Sequence, residues 1–215
     1  MTANTPSASP SVTADPDETS VASVVVLPTH VEFRDAAGEV AASFDYATDA
    51  EAAIAGFRDL LGSETATTED DGNNHFPPST IHTWGDIEIV ESRFVDNWSE
   101  IAGANTYARP SFTLIVATDA QQDIAFATNV GIVAGDDWAT ASASAIDPGE
   151  RFTCIGTPVE AVELGEAENP DGTTFIETVT TVILDETFDP ATNAWTPTDD
   201  VAEIRAPAML TDGCA

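Results

Sequence analysis

The oxygen-bearing side chains best suited to bind a cation lie in a polar, proline-containing segment over residues 69–79. Asp70, Asp71 and Asn73 flank Gly72 in this segment. Carboxylate and amide oxygens at alternating positions are the ligands that a hard cation such as Ca²⁺ prefers. The segment lacks the twelve-residue spacing and the terminal glutamate of an EF-hand. The pattern therefore predicts either a structural turn or a calcium site.

Two of the three histidines, His75 and His82, lie on either side of the Pro77–Pro78 pair. If the chain turns back at these prolines, the two imidazoles approach each other, as a binding pair or an acid–base pair requires. The alternative is that both imidazoles are ordinary polar side chains with no chemical role.

Three of the four tryptophans are candidate binding residues. Trp84 and Trp98 lie near polar segments, and Trp195 lies in a turn region. An exposed indole ring can stack on a sugar or hold a partner peptide. The alternative is that each ring fills the edge of the core, which is what we expect of Trp138.

Composition and motifs exclude several catalytic classes, and no catalytic residue is assigned. The chain has no lysine, so lysine Schiff bases and P-loops are excluded. It also lacks the Gly-x-Ser-x-Gly and Gly-x-Gly-x-x-Gly motifs. A chain with 38 acidic residues can supply the pair of catalytic carboxylates that a glycosidase uses. The spacing of the acidic residues does not identify which two would form such a pair. An enzyme is thus the less favoured interpretation.

The net charge of −32 restricts the partners of the protein. Nucleic acids and anionic membrane surfaces both require a basic patch, which six arginines among 38 acidic residues cannot supply. No apolar run reaches the roughly 18 residues of a membrane-spanning helix. Mutual repulsion of the carboxylates favours a soluble monomer. Two classes of protein share this composition: exported proteins and halophilic cytoplasmic proteins.

The two cysteines bear on that choice. Cys154 and Cys214 are the only cysteines, and no histidine or second cysteine stands beside either of them. A disulfide between them would close a loop of about 60 residues and stabilise the fold by roughly 4 kcal/mol. It would also imply an oxidising compartment. The alternative is two unrelated buried thiols.

The chain divides into a short acidic tether and a globular remainder. Residues 1–20 are rich in Pro, Ser, Thr and acidic side chains, so we expect a flexible tether. Residues 21–215 are expected to form a single globular domain, with 21–110 and 111–215 as candidate halves.

The expected fold class is α+β, with antiparallel sheets and two short helices on one face. Residues 24–33 read as one strand broken at Pro28, followed by a strand over 40–46. Thr48 and Glu51 form the pattern of a capping box before a helix that Gly62 ends. The order hairpin then helix recurs over 112–145, where Asp136 or Asp137 caps a helix that begins at Trp138, so two tandem hairpin–helix units are one arrangement of this fold. Hairpins are also expected over 81–90 and 159–184.

Several segments give the chain an overall resemblance to uncharacterised surface lipoproteins of high-GC Gram-positive (actinobacterial) bacteria. These segments are 31–38, 43–46, 75–80, 83–86, 130–136 and 204–214. The resemblance covers about residues 20–215 and rests on an overall pattern, not on a catalytic motif. It implies a secreted precursor, a lipid anchor upstream of the tether, and no assigned activity. The glycines of 131–135 also resemble the helix entry of small α+β modules such as beta-lactamase-inhibitor proteins and envelope-assembly lipoproteins.

We therefore expect a non-enzymatic, extracytoplasmic binding or structural module, tethered to the cell surface, that binds an envelope protein or glycan. Apart from the calcium alternative, no cofactor is expected. An exported glycan hydrolase with paired carboxylates and a halophilic cytoplasmic protein are the alternative interpretations.

Overall fold

The computed structural model describes residues 20–72, 77–93, 110–146, 156–168, 172–189 and 194–209. Strands account for 56% and helices for 11% of the structure. The expected α+β class is therefore wrong: the described part of the chain is a β-rich fold of three sheets, with only two helices. None of its helices has the length and apolar character that crossing a membrane requires.

Fourteen strands are described. They are β1 (Val21–Val26), β2 (His30–Asp35), β3 (Val40–Asp45), β4 (Ala66–Asp70), β5 (Ser79–Trp84), β6 (Ile87–Ser92), β7 (Phe112–Val116), β8 (Ala120–Gln121), β9 (Ile124–Thr128), β10 (Thr157–Glu168), β11 (Thr174–Leu184), β12 (Glu186–Asp189), β13 (Ala194–Pro197) and β14 (Glu203–Met209). The helices are α1 (Ala50–Leu61) and α2 (Trp138–Ser142).

The strands form a five-stranded, a seven-stranded and a two-stranded sheet. The five-stranded sheet has the order β3-β2-β1-β9-β8, and its β1–β9 pair is parallel. The seven-stranded sheet has the order β10-β11-β14-β7-β6-β5-β4, and all its neighbours are antiparallel. β12 and β13 form the small third sheet. Both large sheets combine strands from either side of residue 110.

Two expected strand arrangements differ from the structure. The chain reverses at Pro28, so β1 and β2 form an antiparallel pair and not one broken strand. β7 and β9 lie in different sheets, because β9 pairs with β1 while β7 pairs with β6 and β14. The second hairpin–helix unit therefore does not exist, and α2 has only five residues. The tandem arrangement is wrong.

The long helix has the expected apolar stripe but a different start. Ala53, Ile54, Phe57 and Leu61 are buried on one side of α1. The N-cap residue is Asp49, and it makes no side-chain capping hydrogen bond to the helix. Its carboxylate instead accepts the backbone N–H of Asp45 at 2.9 Å and the Thr48 hydroxyl at 3.0 Å. The expected capping box is therefore absent from α1.

The helix ends as expected at Gly62. This residue has a φ of 85°, which glycine adopts without the steric cost that a Cβ atom brings. Its backbone N–H donates to the carbonyl of Arg58 at 2.9 Å and so closes the last turn. At α2, the expected capping by Asp137 is confirmed, since its carboxylate accepts the backbone N–H of Thr140 at 2.9 Å.

One hydrophobic cluster joins both large sheets and α1. Phe57 of the helix contacts Phe33 of the five-stranded sheet, with ring centroids 5.0 Å apart in an edge-to-face arrangement. The same Phe57 ring lies 5.8 Å from the ring of Trp84 in the seven-stranded sheet. The helix thus fixes the two sheets relative to each other through one aromatic side chain.

Two expected hairpins are confirmed. β5 and β6 turn at Gly85 and Asp86, and their register pairs Trp84 with Ile87. β10 and β11 pair over almost their entire length, from Thr157 opposite Ile183 to Glu168 opposite Thr174. We call this second hairpin the ribbon. Residues 1–19 of the expected tether over 1–20 and the Cys154–Cys214 pair lie outside the described residues, so the tether and the disulfide stay predictions.

Candidate functional site

The structure places the candidate residues predicted from the sequence in different environments. Trp84 is 1% exposed and belongs to the core, so it is not available to a partner. Trp195 lies on β13 with 48% of its surface exposed, as a binding residue requires. His82 is buried on β5. Trp98, His75 and Asn73 lie outside the described residues, so their predicted roles are not addressed.

The predicted calcium ligands that are described take part in a local turn. The carboxylate of Asp70 accepts the backbone N–H of Gly72 at 2.6 Å, and both Asp70 and Asp71 are exposed. Among the described residues, no group of three or more His, Cys, Asp and Glu side chains is arranged to hold a metal ion.

His82 lies at the centre of a polar network that the sequence analysis did not identify. Its Nδ1 is 3.2 Å from a carboxylate oxygen of Glu64, and its Nε2 is 3.3 Å from one of Glu91. The imidazole is stacked beside Trp84, with ring centroids 6.4 Å apart. Carboxylates accept hydrogen bonds, so each of the two glutamates is placed to accept from a ring N–H of His82.

The network is anchored by a guanidinium group from the helix. Arg58 donates to the same oxygen of Glu64 from Nε at 2.8 Å and from Nη2 at 2.5 Å. This hydrogen bond, assisted by the one to His82, lowers the pKa of Glu64 to about 2. Each charged group is thus engaged by another group of the same network, which is the arrangement of a structural polar cluster.

A small pocket of about 100 Å³ opens beside the middle of the ribbon, at Leu164 and Val179. One wall comes from the seven-stranded sheet and consists of Leu164, Val179, Pro207 and Met209. The other wall comes from the ends of β2 and β3 and from Pro110, and it consists of Pro28, Thr29, Asp45, Tyr46, Ala47 and Pro110. Apolar side chains thus dominate the lining, as in most ligand pockets.

Tyr46 differs from the other residues of this lining because its polar group is buried without a hydrogen-bond partner in the described structure. It is 1% exposed, and its ring packs edge-to-face on Phe112 with centroids 5.0 Å apart. Its hydroxyl is buried and has no hydrogen-bond partner among the described residues. Burial raises the pKa of Tyr46 well above its ordinary value. The phenol therefore stays neutral and acts as part of an apolar wall.

The distal half of the ribbon leaves apolar side chains exposed next to the pocket. Val162 and Leu164 on β10 are 39% and 45% exposed. Ile176 on β11 is 49% exposed and lies on the opposite face of the ribbon, where it pairs with Glu166. Residues Ala161 to Glu166 are all exposed. We call Val162, Leu164, Val179, Met209 and the adjoining pocket the ribbon surface.

Sequence reasoning predicted the hairpin but not this surface. The signal was present in the alternation of Val162, Glu163 and Leu164, which indicates a strand with one apolar face. The sequence does not show that this apolar face extends beyond the core. It does so only because β10 is longer than the part of it that packs in the core, and the sequence does not give that relation.

Comparisons of the chain with protein-family models, with curated proteins and with solved structures found no match.

Proposed function

We propose that the protein is a non-enzymatic binding module that acts outside the cytoplasm, tethered to the cell surface by its acidic N-terminal segment. Its partner in this proposal is another protein, which it contacts through the ribbon surface. The observation that carries the proposal is the run of exposed apolar side chains on β10, continuous with an apolar pocket. Exposed apolar patches of this kind are typical of interaction sites.

The polar network around His82 supports a binding role over a catalytic one. A general acid or base must have a ring nitrogen available to the reacting group. In this network both ring nitrogens contact carboxylates, and the side chain is 9% exposed. The imidazole of His82 is thus engaged in a structural contact, because Glu64 links it to Arg58 of α1.

Selection from a displayed library of random peptides tests the proposal. The immobilised full chain is the target, and bound peptides are then counter-screened against a Val162→Asp/Leu164→Asp double variant. We expect enriched peptides that bind the wild-type protein and lose binding to the double variant, because two carboxylates would disrupt the apolar contact.

The matched control is the double variant Ala37→Asp/Val40→Asp. Both positions are exposed and lie at the β2–β3 turn and the start of the edge strand β3, at the opposite end of that strand from the pocket, so the variant adds the same charge away from β10. Binding should survive in this control. Peptides that bind both double variants equally well, or a selection that enriches no sequence, would overturn the proposal.

A further inference from the structure

β10 is the outermost strand of the seven-stranded sheet, and only β11 pairs with it in the described structure. Its beginning is covered, because the backbone N–H of Ile146 donates to the carbonyl of Pro158 at 2.9 Å. The exposed residues Ala161 to Glu166 lie beyond that contact. An exposed strand edge of this kind offers backbone donors and acceptors to an added strand.

The register of the ribbon sorts the exposed side chains of β10 into two different faces, and β11 adds Glu177 to the face of Val162 and Ile176 to the face of Glu163. Val162 lies opposite Val179, and Leu164 lines the pocket together with Val179, so these side chains share the apolar face. Glu163 lies opposite Thr178, and Glu166 lies opposite Ile176. Thr178 and Ile176 are two residues apart on β11 and so lie on the same face of it. The two glutamates therefore share the other face.

A strand added to this edge would meet both faces at once. Since its side chains alternate between the faces, every second residue would lie beside Val162 and Leu164, and the residues between would lie beside Glu163 and Glu166. The matching strand therefore alternates apolar and basic side chains. The net charge of −32 also attracts a basic partner over long range.

We propose that β10 binds an extended segment of a partner protein by antiparallel or parallel strand addition, and that this segment alternates arginine or lysine with apolar residues. One apolar side chain of the segment enters the pocket next to Leu164 and Tyr46. This inference rests on the proposed binding function and specifies its mode and the chemistry of the partner.

A second copy of the chain does not match this edge. Pairing β10 with another β10 would place Glu163 and Glu166 of both copies on one small surface, where like charges repel. The acidic face thus selects against the chain itself and for a basic segment.

The test uses the full, isotopically labelled chain and a synthetic peptide of about nine residues in which arginine and valine alternate. One control peptide has the same composition with all arginines before all valines. A second carries N-methyl groups on alternate amides, and a third carries them on the remaining amides. Binding is measured by calorimetry, and amide hydrogen exchange of Ala161–Glu168 is measured with and without each peptide.

We expect the alternating peptide to bind and to protect from exchange those amides of Ala161–Glu166 that do not pair with β11. One of the two N-methylated peptides should lose binding, because only one set of its amides faces β10. The Glu163→Gln/Glu166→Gln variant should bind the alternating peptide about tenfold more weakly, because two exposed ion pairs are lost. Glu39→Gln, at an exposed position elsewhere, should leave the affinity unchanged.

Three results would overturn the inference. Equal binding of the block peptide without protection of β10 would show charge attraction alone. Protection of β10 in the free protein together with a dimeric mass would show a second copy on the edge. No binding of the alternating peptide would exclude this partner chemistry. In each case peptides selected on the ribbon surface, as described above, would leave the proposed binding function standing.

Discussion

The indole N–H of Trp84 donates a hydrogen bond to the backbone carbonyl of Gly62 at 2.9 Å. The two residues are 22 positions apart in sequence, and the bond connects the end of α1 to the last residue of β5. The backbone N–H of Gly62 already closes the helix, so both backbone polar groups of this glycine are used at one point. A tryptophan that the sequence suggested as a binding residue thus holds the helix on the sheet.

Replacing Trp84 with phenylalanine should destabilise the protein by about 2–3 kcal/mol, since it removes this hydrogen bond and leaves a void in the core. The free energy of unfolding is measured by urea denaturation. Val130→Ala is the control, because Val130 is 51% exposed in a turn and the change should stay within about 0.5 kcal/mol. Equal losses in the two variants would contradict the core role of Trp84.

Replacing Tyr46 with phenylalanine should raise the free energy of unfolding by about 1 kcal/mol, because it removes a buried hydroxyl that lacks a partner in the described structure. The neighbouring Ser111→Ala is the matched control. The Ser111 hydroxyl donates to the carbonyl of Tyr46 at 2.9 Å, so its loss should lower stability by a similar amount. Opposite signs for the two variants are the expected result. A loss of stability in Tyr46→Phe would show that its hydroxyl has a partner.

The polar network predicts a pH dependence of stability with a definite sign. The pKa of Glu64 is lowered from 4.5 to about 2, chiefly by the hydrogen bond from Arg58. The unfolded chain therefore takes up a proton on Glu64 at higher pH than the folded protein does. The stabilisation that Glu64 provides is complete above pH 4.5 and is lost as the pH falls towards 2.

The measurement is the free energy of unfolding of wild type and of Glu64→Gln between neutral pH and pH 2. The variant should be less stable at neutral pH, and the difference should shrink below pH 4.5. Glu39→Gln serves as a control at an exposed turn. A difference between Glu64→Gln and wild type that is constant over this range would mean that the carboxylate is not engaged in the folded state.

The approach of Gly156 to β11 predicts a steric effect. A Cβ atom at this position would lie 2.9 Å from the carbonyl oxygen of Ile183 and 2.9 Å from a methyl group of Leu184, at a φ of 95°. Gly156→Ala should cost about 3 kcal/mol, from backbone strain and overpacking together. Gly62→Ala has a similar φ with no atom within 4 Å and should cost about 1 kcal/mol. Thermal and urea unfolding give the comparison, and equal costs would exclude the steric contribution.

Local patterns in the sequence predicted local structure correctly. The apolar stripe of α1 and the β5–β6 turn at Gly85 follow from side-chain periodicity and turn chemistry over a few residues. The sheet arrangement does not, because β1 pairs with β9 across about a hundred residues and no local signal records that pairing. Two strands that are neighbours in sequence were expected to pair with each other, whereas the structure assigns them to different sheets.

The candidate functional residues show the same division. The β5–β6 register places Glu91 opposite Thr80 and thus near His82, which the hairpin prediction allows. Glu64 precedes β4 and reaches His82 only because the chain returns beside β5 after α1. The pocket combines Tyr46 with Leu164 and Met209, and these residues meet only through the packing of two sheets. The pocket therefore cannot be predicted from the spacing of its residues along the chain.

The position of β14 governs when the protein can fold. This strand comes last in chain order among the described strands, yet it lies between β11 and β7 in the middle of the seven-stranded sheet. Until residues 203–209 have been synthesised, the earlier strands form two separate groups, each with an open edge that can pair with another chain. This sheet therefore cannot be completed before residues 203–209 have been synthesised, and both groups keep an open edge until β14 pairs with them.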